Sequence, residues 1–250
     1  MIYTRKKKLY IGLIILIVLI GIVYLSINII ILNSNNDYRS RLYVPTMIQK
    51  IDDTYFIVDC WNHRVIFNDC LDKDIDNWQT LTDESYVGGH TIASDGELYV
   101  LDNTDMNEVL CYKKTEDGSF EKTITIGNIP LRPHFVVYDE LNKKFYVIGS
   151  QNATIYTFSN VEGKLHLDRS DVLPELEGGY VRSISIIDNK LYTACGNNSI
   201  CEYTIQDNGF RFEKEYPVPD ELYGMNQLVK IDDLVLCQDL VQNKMRGSAS

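Results

Sequence analysis

The chain has 250 residues, with 24 Lys and Arg against 35 Asp and Glu, a formal net charge of −11 at neutral pH. Such an acidic surface repels phosphate backbones, so no nucleic-acid partner is expected. Six cysteines, at 60, 70, 111, 195, 201 and 237, lack the CxxC or paired His/Cys spacing of a zinc site.

The basic N-terminus, residues 1–8, ends in Arg5, Lys6, Lys7 and Lys8, and residues 9–32 then carry no charge. At about 1.5 Å per residue, a helix of that length covers the roughly 30 Å hydrocarbon core of a bilayer. The run exceeds the apolar region of a cleaved signal peptide and is followed by no small-residue cleavage site. The expectation is one transmembrane helix over 9–32, a signal anchor with its basic N-terminus in the cytoplasm. A linker over 33–42 then leads to an extracytoplasmic domain over 43–250. Without the four leading cations the rest of the chain, residues 9–250, keeps 20 Lys and Arg, a net of −15.

The domain repeats. Short β-type runs recur as YFIVD (55–59), LYVLD (98–102), FYVIG (145–149), LYTAC (191–195) and LVLCQ (234–238). The units open in step with YVPT (43–46), YVGGH (86–90), LRPH (131–134), YVRS (180–183) and YGMN (223–226). A third run follows in four units: HRVIF, EVLCY, ATIYTF and SICEY. Gly-containing turns at 116–118, 161–163 and 207–209 then lead to FEKTITI, KLHLDRS and FRFEKEY. Four antiparallel strands per unit of about 45 residues is the arithmetic of a β-propeller blade. The fold expectation is therefore all-β, a propeller with about 4.5 four-stranded blades visible. The fifth unit reaches QNKMRGSAS where its third strand is due, so the visible blades are read as part of a six-bladed propeller from a longer chain.

Blade one carries a sharper signature in YFIVDCWNHRVIF (55–67). Tyr55, Val58, Asp59, Asn62, His63, Arg64, Val65 and Phe67 resemble the NHL-repeat unit. The second blade keeps only the first half, in ASDGELYVLDN (93–103), and later blades keep the hydrophobic skeleton. The resemblance implies the propeller fold, with Asp59, Asn62 and Arg64 as structural groups of a hairpin. Cys60 and His63 are read as turn residues, not as nucleophile and base, because nothing nearby orients the His.

The inner strand of each blade is expected to line a central channel. Its first residues would then ring one mouth, placing Thr46, His90, His134, Ser183 and Asn226 there. His90 and His134, from adjacent blades, are the metal-ligand candidates for a divalent ion with an open position for water. Cys60–Cys70 and Cys195–Cys201 are the local disulfide candidates, with free buried thiols as the alternative. The leading functional expectation is a binding or scaffold module for a protein or glycan partner. The alternative is a metal-dependent hydrolase or lyase working at the channel mouth.

Overall fold

The computed structural model describes residues 40–129, 132–195, 199–219, 225–232 and 234–239, with Val18, Gly21, Val23 and Tyr24 as helical positions of the N-terminal run. The rest of the expected transmembrane helix over 9–32 lies outside the described residues. Among the described residues no helix is long and apolar enough to cross a membrane.

The strands form where the repeat puts them. The first antiparallel sheet is β1 (Pro45–Ile51), β2 (Thr54–Asp59), β3 (Arg64–Asn68) and a two-residue β4 (Gln79–Thr80). The second holds β5 (Ile92–Ser94), β6 (Leu98–Asn103), β7 (Glu108–Lys114) and β8 (Phe120–Ile126). The third holds β9 (Pro133–Asp139), β10 (Lys144–Gly149), β11 (Thr154–Val161) and β12 (Lys164–Val172). The fourth holds β13 (Val181–Ile187), β14 (Lys190–Cys195), β15 (Ser199–Gln206) and β16 (Gly209–Pro217). A two-stranded sheet follows, of β17 (Met225–Ile231) and β18 (Leu234–Asp239). Four sheets in simple meander order and half of a fifth are the propeller blades.

The middle strands of the second, third and fourth blades are apolar on both faces because each of these blades is covered by two neighbours. On β6, Tyr99 and Leu101 pack with Phe56 and Val58 of the first blade, while Leu98 and Val100 pack with Val147 and Phe158 of the third. Alternation with period two thus feeds two cores in place of one core and solvent. A further cluster joins Tyr146 and Ile148 to Ile184 and Tyr203, binding the third blade to the fourth. Leu228 of β17 packs on Ile187 and Ala194.

The first strands, β1, β5, β9, β13 and β17, jointly line a central cavity of about 880 Å³. Its walls include Met47, Ile92, Phe135, Ile184 and Leu228. Polar clasps join neighbouring blades along this wall. The Val136 amide donates to Thr91 Oγ1 at 2.8 Å, and Ser185 Oγ donates to the Leu228 carbonyl at 2.8 Å.

Both local disulfide expectations fail where the structure describes the thiols. Cys60 and Cys70 are unpaired, since β3 runs its length between them, and Cys201 is also free.

Candidate functional site

The blade-one hairpin is built around Asp59, which is fully buried. Its carboxylate accepts from the Tyr43 amide at 2.6 Å, Asn62 Nδ2 at 2.7 Å and Arg64 Nε at 2.8 Å. Asn62 and Arg64 also donate to the Arg41 carbonyl, so three side chains fix the chain that enters the blade. His63 turns the corner in the left-handed region, at φ 51°. Its Nδ1 accepts the Gly88 amide at 3.2 Å, which ties the turn to the next blade. The second blade repeats this frame one residue later than the strand pattern implies. Asn103 stands in for Asp59, accepting from the Val87 amide at 2.7 Å, and Asn107 in place of His63 has φ 57°. Thr104 and Ser150 then correspond to Cys60.

Strand pairing also resets the channel mouth. In β1, β9, β13 and β17 the register slips at the first residues, so Thr46, His134, Arg182 and Asn226 each sit as an extra residue in a bulge. Counting from the Ile92–Leu101 pair puts His90 at the same place in the second blade. Bulges re-aim a side chain without disturbing the core-facing pattern beyond them. The repeat alignment placed Ser183 in this set, and the structure replaces it with Arg182. Ser183 is one step inside the ladder, fully buried, and its hydroxyl has no hydrogen-bond partner among the described residues. Asn226 is on β17.

The remaining mouth residues form one arc. Thr46 Oγ1 donates to the His90 carbonyl at 2.9 Å. The His90 and His134 rings stack, centroids 3.9 Å apart and planes 22° apart. His134 Nδ1 donates to the Arg182 carbonyl at 2.8 Å. Tyr180 closes the arc edge-on to His134, with the Arg182 guanidinium over its ring. Arg182 has no salt-bridge partner among the described residues, and its Nε is buried without one.

The two imidazoles carry opposite protonation preferences. Burial is the largest influence on His134, and with the nearby His90 charge it pushes the group down to about 3. His134 is therefore neutral, with its proton on Nδ1 and its lone pair on Nε2. Burial also pulls His90 down, but hydrogen bonds to Asp102 and Cys60 outweigh it and raise the group to about 9. His90 Nδ1 lies 3.1 Å from Thr104 Oγ1 and 3.5 Å from Asp102 Oδ2, and its Nε2 is 3.9 Å from Cys60 Sγ. The Asp102 carboxylate is itself fixed by the amides of His90 and Thr91.

This arrangement does not fit a divalent metal shared by His90 and His134. A ligated ion must lie about 2.0–2.1 Å from nitrogen and in the plane of each ring. Two nearly parallel rings in face-to-face contact aim their lone pairs side by side, and both His90 nitrogens already face other groups. Among the described residues no cluster of three or more His, Cys, Asp or Glu could hold a metal. Asp72, Asp74 and Asp76, which imitate a calcium loop, lie on an exposed turn.

No protein-family model and no curated protein matches the chain. Solved structures do. A protein of Bacteroides uniformis assigned by name to the 6-phosphogluconolactonases has 10% identity and a TM-score of 0.65, over 80% of this chain and 66% of its own. The periplasmic gluconolactonase PpgL of Pseudomonas aeruginosa has 14% identity and a TM-score of 0.59, over 80% of this chain and 64% of its own. A Lactobacillus plantarum protein has 14% identity and a TM-score of 0.52, over 75% and 54%. The chain thus spans less than two thirds of the length of these structures. At such identities the likeness carries the fold. Two of the names are of lactone-opening hydrolases, and this overturns the leading expectation of a binding or scaffold module; the hydrolase alternative fits better.

Proposed function

We propose that the chain is a hydrolase that opens a small polar ester or lactone at the channel mouth, without a metal. The observation that supports it most is the stacked His90–His134 pair, held in opposite charge states on adjacent blades. Two like groups driven apart in this way divide acid and base roles. His90 stays cationic at neutral pH and can give a proton to the departing alkoxide. His134 stays neutral and offers Nε2 to hold the attacking water. Arg182, unpaired in an acidic protein, is the donor for the carbonyl oxygen as it gains charge. The reading also keeps the kinship with NHL-type repeats, supported by the blade-one hairpin. It keeps the extracytoplasmic display as well, supported by the uncharged run 9–32 behind Arg5 to Lys8.

The test is hydrolysis of glucono-δ-lactone by the purified full chain, followed with a pH indicator against the spontaneous rate. The expected result is catalysis that falls about 100-fold in His90→Gln and in Arg182→Ala, in line with single acid–base or oxyanion groups. Chelation by EDTA leaves the rate unchanged. A wild-type rate equal to the spontaneous one overturns the reading.

A further inference from the structure

The first residue of the tight turn after the second strand differs between blades in a way the fold does not require. Thr104 Oγ1 is 2.8 Å from the Pro133 carbonyl, and Ser150 Oγ donates to the Arg132 carbonyl at 3.1 Å. Both hydroxyls reach a backbone carbonyl. The equivalent Cys60 meets an imidazole, with Sγ 3.9 Å from His90 Nε2. The far side of that ring faces Thr104 Oγ1 and Asp102 Oδ2, and Thr104 is itself 2.8 Å from Asp102 Oδ2. Asp102 is fully buried. In sequence the histidine nearest to Cys60 is His63, three residues away, but its Nδ1 accepts the Gly88 amide. The base and its orienting carboxylate come from the next blade. Tyr86 adds an independent sign. Its hydroxyl is fully buried within electrostatic reach of Cys60 and Asp102, yet has no hydrogen-bond partner among the described residues.

We propose that Cys60 is the nucleophile of the mouth, paired with His90 and Asp102, and that it carries the substrate's acyl group as a thioester. The proposal rests on the hydrolase reading for its substrate, but the thiol chemistry is testable alone. The reacting form is the ion pair in which the Sγ proton already sits on His90 Nε2, the same cationic His90 as in the lactone reading. The thiolate attacks the carbonyl carbon, an S–C bond forms, and the acyl C–O bond breaks. His90 returns the proton to the departing alkoxide. Water then attacks the thioester, giving one proton to His90, and the acid leaves as the C–S bond breaks. The ion pair is restored, so ester and water become acid and alcohol with nothing left over. The charged and titratable groups around the thiol are His90, Asp102 and Tyr86, with His134 and Arg182 beyond the stacked ring.

The experiment is native-state alkylation of the full chain with iodoacetamide at neutral pH, read by peptide mass spectrometry. Cys70, partly exposed, is the internal reference. Cys111 and Cys201 are buried thiols that burial holds up, to about 11 for Cys111, and they report unfolding if labelled. Cys60 is expected to react about tenfold faster than Cys70 despite its burial, and His90→Gln to remove that advantage. Acetylation by p-nitrophenyl acetate is expected on Cys60 and absent in His90→Gln. Slower labelling of Cys60 than of Cys70, or an advantage that survives His90→Gln, overturns the proposal. So does lactone turnover that survives Cys60→Ala. If the wild type turns over no lactone but Cys60 is selectively acetylated, the lactone reading fails and the nucleophile stands.

Discussion

Gly89 shows how tightly the mouth is specified at the scale of one residue. A Cβ there would overlap the Tyr86 hydroxyl and the Asp102 backbone carbonyl. Neither neighbour is free to move, because Tyr86 fills the core between two blades and the Asp102 carboxylate pins two amides. Gly89→Ala is expected to cost about 1–3 kcal/mol in a denaturant melt, as overpacking does, and to depress turnover by displacing His90. An unchanged midpoint would contradict this packing. The same scale marks where the sequence was readable and where it was not. Thr46, His90, His134 and Asn226 followed from repeat spacing alone. Arg182 did not, because a bulge adds a residue that leaves no trace in hydrophobic pattern, and Ser183 took its place by one position. The contact between Cys60 and His90 was not legible either, since the two lie 30 residues apart and only strand pairing brings them together.

At the scale of the element, the β2–β3 hairpin depends on one buried ion pair. Arg64 and Asp59 meet at 2.8 Å with both side chains nearly out of water. Removing one partner strands the other, so Asp59→Ala or Arg64→Ala is expected to destabilise by about 3–5 kcal/mol. The double replacement is expected to cost less than the sum, measurable in a thermodynamic cycle by chemical denaturation. Additive losses would show that the pair is not coupled. The strands themselves were legible almost to the residue: FEKTITI is β8 and FYVIG lies within β10. Tyr, Ile, Val and Phe suit a pleated surface, and glycines and polar turns punctuate it. What the pattern could not show was which neighbour each face meets. A strand apolar on both faces reads the same whether its second cover is helix or blade.

For the whole molecule, the stacked histidines shape stability against pH. His134 is depressed to about 3, so between pH 6.5 and 3 the unfolded chain binds more protons and stability falls as pH falls. His90 is raised to about 9, so between pH 6.5 and 9 the folded chain binds more protons and stability falls as pH rises. Together they put a maximum near pH 6.5 (the ordinary imidazole value) in thermal melts of the full chain. His134→Ala should flatten the acid limb above the carboxylate range, and His90→Gln the alkaline limb. Melts that are flat from pH 5 to 9 in the wild type would refute both assignments.

The bulges at the head of the inner strands have a consequence for how this protein could acquire new chemistry. An extra residue in a ladder answers neither to the core nor to the pairing pattern, so its identity is free to vary. The five blades use that freedom, with Thr46, His90, His134, Arg182 and Asn226 at one geometric position. The residues that follow remain bound to wall and core. The mouth is thus a short word written one letter per blade. Selection can respell it by single substitutions at little cost to folding, whereas deleting a letter would close the bulge and leave that blade with no residue at the mouth.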